Sequence, residues 1–133
     1  MLHSRTVLIV DVSGYAALDL AQAIEESDGS VAGPVASLSE ALVILDSVKV
    51  EGAVVDSEVV DANEIVMLLV EREVPLVIQA SGPQSSSPGQ SGTNRNVLVR
   101  PVEPRTVLEC LLMEIGKSEL RDPNTLGSIL KQV

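Results

Sequence analysis

Phenylalanine and tryptophan are absent from this 133-residue sequence, and Tyr15 is its only aromatic residue. Aromatic cages for cations and stacking platforms for bases therefore have almost nothing to be built from. Cysteine is equally scarce. Cys110 stands alone, so the chain forms no intrachain disulfide and no thiolate metal cluster. Basic residues number 9 against 19 acidic ones, giving a formal net charge of −10. Nucleic acids and anionic membrane surfaces both select clustered Lys and Arg, so both are disfavoured as partners. No apolar run reaches the length of a membrane span, and residues 1–5 carry no signal-peptide pattern. A cytoplasmic protein is expected. Histidine occurs once, at His3 in an amino terminus expected to fray, which leaves no His–carboxylate pair. A glycine-rich phosphate loop and a nucleophile elbow are missing as well, so an enzyme is not expected.

What the chain does have is aliphatic. Hydrophobic residues make up 45% of it, enough for one core, and its length suits one domain. Residues 6–10 form a β-branched apolar run that stops at Asp11, the pattern of a buried strand. Residues 15–26 change to helical periodicity, with Leu18, Leu20, Ala21 and Ile24 as the stripe and Gly29 as the expected left-handed cap. Residues 31–35 are a second strand, confined to a sheet edge by Pro34. Ser37 and Glu40 match a capping box that opens a helix through residue 48. In residues 51–56 the adjacent Val54 and Val55 indicate a strand covered on both faces, ending at Asp56.

The second half repeats the alternation. Asp61 is a possible cap for a helix over residues 65–72, apolar enough to be well buried, and residues 74–80 are a fourth strand. Residues 81–94 are dense in Ser, Gly and Pro with no apolar face, so a mobile loop is expected. Residues 96–100 are a fifth strand. Pro104 sits at the first turn of a final helix over 105–116, whose stripe is Leu108, Leu111, Leu112 and Ile115. Residues 1–116 make the domain, and 117–133 form a tail with at most a short helix.

Strands alternating with helices predict an α/β fold, a flavodoxin-like doubly wound sheet of five parallel strands in order 2-1-3-4-5. The fourth helix is reduced or replaced by the loop. In such sheets chemistry sits beyond the carboxyl ends of the strands. That edge collects Asp11, Asp56, Ala80 with Ser81, and Arg100.

With these motifs in place, residues 5–116 resemble the receiver domain of two-component response regulators. The resemblance rests on the run into Asp11, Ala53-Val54-Val55-Asp56, residues 75–80, and Val97-Leu98-Val99-Arg100-Pro101. It implies that Asp56 is the phosphoacceptor, with Asp11, Asp56 and the backbone carbonyl of Glu58 as Mg²⁺ ligands. It also marks departures. Val12 stands where a second acid helps hold Mg²⁺. Ala80 stands where a Thr or Ser binds the phosphoryl oxygen, with Ser81 one residue later. Arg100 replaces the lysine, and Val97 replaces the aromatic that reports the switch.

Two consequences follow for the chemistry. Mg²⁺ binding should be weak with one acid lost. Arg100, a permanent cation with a planar fork, can pair statically with Asp56 or Asp11 or can grip a phosphoryl group; the static pair is favoured. The resemblance implies a stand-alone atypical receiver, working as a signalling interaction module in a two-component-type phosphorelay with degenerate phosphorylation machinery. Its partner would be a histidine kinase, a phosphotransfer protein or another signalling protein, docking on the sides of the first and last helices. The alternative is a working phosphoacceptor on Asp56. An aliphatic patch left bare by the missing fourth helix favours a homodimer.

Overall fold

The computed structural model describes residues 2–80 and 96–121, the last three in backbone only. The strands are β1 (Thr6–Val10), β2 (Ser30–Val35), β3 (Gly52–Asp56), β4 (Leu76–Ala80) and β5 (Val97–Val99). The helices are α1 (Gly14–Glu26), α2 (Leu38–Ser47), α3 (Ala62–Glu71) and α4 (Pro104–Arg121). All strand pairs are parallel and their order is β2-β1-β3-β4-β5, as the alternation predicts. The expected mobile loop in place of a helix between β4 and β5 lies outside the described residues.

The period of two along each strand splits the core into two layers. Val7, Ile9, Val54 and Val77 point to one face, where Ala17, Leu20 and Ile24 of α1 and Val107, Leu108, Leu111 and Ile115 of α4 cover them. Leu8, Val10, Ala53, Val55 and Leu76 point to the other, against Ala41 of α2 and Ile65 and Leu69 of α3. Every residue of β3 is buried, as expected for a central strand covered twice.

Several local expectations are corrected. Leu18 is 65% exposed and Ala17 takes its place in the α1 stripe. Asp28, not Gly29, adopts the left-handed conformation after α1, with φ 66°. Gly29 is required for a different reason: a Cβ there would run into Leu2 Cδ1 and stand 2.8 Å from Ile24 Cγ2. Residues 2–5 are held to the fold rather than fraying. Leu2 is fully buried, and its N–H donates to the Ser27 carbonyl at 2.9 Å. In α2, the Ser37 hydroxyl accepts from the Glu40 N–H at 3.2 Å, but the Glu40 carboxylate reaches back to the Ala36 N–H, one residue beyond the usual capping box. Asp61 does stand at the N-cap of α3, but its side chain serves α2 instead, accepting from the Leu38 N–H at 3.0 Å. Helix α3 buries one face only; Met67 and Val70 are exposed. Helix α4 runs past Gly116 to Arg121.

Candidate functional site

Strand register builds the site. Val10 of β1 pairs with Val55 of β3, so the next residues, Asp11 and Asp56, emerge side by side at the carboxyl edge. Asp56 in turn pairs with Gln79 of β4. Gln79 pairs with Leu98 of β5, which sets Arg100 just beyond the strand end, its N–H donating to the Ala80 carbonyl at 2.8 Å.

Arg100 closes the site. Its Nη1 lies 2.9 Å from Asp56 Oδ1 and its Nη2 lies 3.1 Å from Asp11 Oδ2. Nη2 also donates to Gln79 Oε1 at 3.0 Å. Both carboxylate side chains are only 2% exposed, whereas the guanidinium side chain is 25% exposed. Backbone amides add to this: Ser13 N–H donates to the second Asp11 oxygen, Oδ1, at 2.8 Å, and Glu58 N–H donates at 3.0 Å to Asp56 Oδ1, the oxygen that Arg100 also holds. A buried charge is tolerated only when paired and hydrogen-bonded in this way. Burial raises the Asp11 pKa above its ordinary value; the Ser13 N–H opposes the rise, Asp56 adds to it, and Arg100 opposes it.

Of the residues marked from sequence, Asp11, Asp56 and Arg100 are brought into direct contact. Ala80 is buried beside them and contributes its carbonyl. Glu58 contributes its amide, while its side chain is exposed. Ser81 lies outside the described residues. Gln79 was missed. Its signal was present: a lone amide in an otherwise apolar strand, which needs a buried partner.

The donor set does not fit Mg²⁺ with Arg100 where it is. Mg²⁺ needs near-octahedral oxygen ligands that are free to turn toward it. Here the guanidinium sits on Asp11 Oδ2 and Asp56 Oδ1, and Val12 brings no oxygen. Among the described residues no group of three or more His, Cys, Asp or Glu side chains could hold a metal ion.

No family model matches the chain, and no curated protein matches it. Solved structures do. A PhyR response regulator REC domain from Erythrobacter litoralis aligns with TM-score 0.75 at 17% identity, covering 86% of this chain and 92% of that one. A response regulator receiver protein from Sinorhizobium medicae WSM419 aligns with TM-score 0.74 at 16% identity, covering 89% and 99%. SdrG from Sphingomonas melonis Fr1 aligns with TM-score 0.67 at 23% identity, covering 84% and 99%. The fold is that of a response-regulator receiver domain. On that receiver fold, Asp56 occupies the carboxyl end of the central strand and Arg100 the end of β5, as the sequence motifs place them. Among the described residues no helix is long and apolar enough to cross a membrane.

Proposed function

We propose that this chain is an atypical receiver acting as a cytoplasmic signalling interaction module, in which Arg100 takes over the neutralising role of a metal ion. The observation that carries this reading is the fork of Arg100 over Asp56 and Asp11. A bidentate guanidinium on two buried carboxylates is a charge-assisted arrangement that satisfies both acids without a cation from solution. Ala80 has no hydroxyl to follow a phosphoryl group inward, and Val97 has no ring to swing. Partner recognition then depends on the surface as folded. Val12, Tyr15 and Leu18 are exposed around the start of α1, with Tyr15 87% exposed, and they offer apolar contact for a histidine kinase, a phosphotransfer protein or another signalling protein.

The test is a titration of the isotope-labelled chain with Mg²⁺ and beryllofluoride, followed by backbone amide shifts, with Asp56→Asn as control. The proposal expects no saturable response at millimolar Mg²⁺. Saturable shifts around Asp56 that vanish in the control would overturn it in favour of a phosphoacceptor on Asp56.

A further inference from the structure

Beside the Arg100 clamp, on the α1 side, lies an open cleft of about 220 Å³. Its walls are Ala16, Asp19 and Leu20 of α1, Pro101 and Val102 after β5, and Pro104 at the start of α4, with Gln79 and Arg100 also lining it. We propose that this cleft is a binding site for a small organic ammonium compound with a compact apolar body and a carbonyl acceptor.

Gln79 supplies the first anchor. The residue is 93% buried, being 7% exposed. Arg100 has only donors, so it fixes the amide with Oε1 toward the guanidinium and Nε2 turned away. The Nε2 group has no hydrogen-bond partner among the described residues, yet no buried side-chain nitrogen or oxygen is left unsatisfied there. Nε2 therefore reaches solvent, and the space that Gln79 lines is the cleft. An unpartnered donor in a buried residue asks for an acceptor, and a carbonyl oxygen meets it.

Asp19 supplies the second. It is an exposed carboxylate on the cleft wall that forms no ion pair among the described residues. Of the charged residues that line the cleft, Arg100 is already held by the buried Asp11 and Asp56, which leaves Asp19 as the unpaired charge there among the described residues, and the whole chain carries −10. This field draws cations and repels anions, so a carboxylate or phosphate ligand is disfavoured. Leu20, Val102 and the two prolines provide apolar contact for the ligand body. The volume is below the roughly 300–1,000 Å³ of drug-sized sites, which limits the occupant to about ten heavy atoms. The site does not require any chemistry at Asp56.

Leucinamide is a suitable probe because it joins an ammonium, an isobutyl group and an amide carbonyl. Titrated into the full labelled chain, it is expected to give saturable shifts at residues 16–20 and 100–104 and at the Gln79 side-chain amide. 4-Methylpentanamide, which differs only in lacking the ammonium, should bind about tenfold more weakly, and Asp19→Asn should reduce leucinamide to that same level. Ala16→Leu should abolish binding by filling the cleft, with thermal unfolding as the check on its integrity. Linear shifts spread over acidic surface positions, equal for the parent chain and Asp19→Asn, would overturn the proposal. So would saturable binding that Ala16→Leu leaves intact in a folded protein.

Discussion

Arg100 and Asp56 meet at 2.9 Å across the carboxyl edge of the sheet, joining the end of β5 to the end of β3. The contact crosses 44 residues of sequence yet follows from register alone, because β4 lies between the two strands and holds both in line. It converts two buried carboxylates from a liability into a closed, hydrogen-bonded unit.

Removing the cation should therefore expose the liability. Arg100→Ala leaves Asp11 and Asp56 buried without compensation, and a loss of about 3 kcal/mol is expected, near the low end for buried pairs because the guanidinium is partly solvated. Arg100→Lys is not conservative here, since a single ammonium cannot cover both acids and Gln79 at once. It should lose less stability and free carboxylate oxygens for Mg²⁺. Chemical unfolding with and without Mg²⁺ checks both: the ion should stabilise the Lys variant and leave the parent chain unchanged.

Gln79 should be coupled to that cation. Gln79→Leu is expected to cost about 1.5–3 kcal/mol in the parent chain, the value of a hydrogen bond to a charged group. In the Arg100→Ala background most of that cost should vanish. A double-mutant cycle with a coupling energy near zero would show that the amide acts through packing rather than through Arg100.

Most of the framework is legible in the sequence. Apolar runs rich in valine that stop at Asp11 and Asp56 fix two parallel strands, and the alternation with helices fixes the sheet order. What escaped was whatever depends on side-chain direction. Leu18 and Ala17 are neighbours, and periodicity over one short helix does not decide which faces the core. Gly29 looks like a cap, yet its constraint comes from Leu2, a residue 27 positions away that packs on it. Gln79 reads as one polar residue in a strand until Arg100 is placed beside it. Charge pairing at a distance leaves no local pattern.

The raised pKa of Asp11 fixes a sign for pH dependence. A carboxyl whose pKa is higher folded than unfolded binds protons more readily in the folded state. Its contribution to stability is fully present below the unfolded value, near the ordinary 3.8, and is lost as pH rises through the folded value. Asp11→Asn removes this component. The stability difference, parent minus variant, should fall as pH rises from strongly acid through weakly acid conditions. A difference that grows over that interval would contradict burial as the dominant cause.

Two glycines separate backbone strain from simple small size. Gly33 in β2 has φ +97°, and a Cβ there would stand 2.8 Å from the Ile9 carbonyl oxygen and 2.9 Å from the Val35 nitrogen. Both obstacles are backbone, so Gly33→Ala should cost about 2 kcal/mol or more. Gly14, at the start of α1, has nothing within 4 Å of an added Cβ. Gly14→Ala should change stability by no more than about 0.5 kcal/mol, and in the stabilising direction. Thermal unfolding of the pair is sufficient to check the contrast.

Cys110 on α4 should be a slow nucleophile despite being partly accessible. Burial pushes its thiol above the ordinary 9.0, Glu114 one turn along adds to the rise, and Lys117 opposes it. The thiolate is the reactive form, so each unit of pKa removes about tenfold in rate near neutral pH. Alkylation of the folded chain at pH 8 should be at least about tenfold slower than that of the chain in denaturant. Glu114 and Lys117 form an ion pair at 2.9 Å, so their effects on the thiol are opposed but linked. Glu114→Gln should speed alkylation and Lys117→Ala should slow it, at unchanged thermal stability. Identical rates in both variants would leave burial as the sole cause.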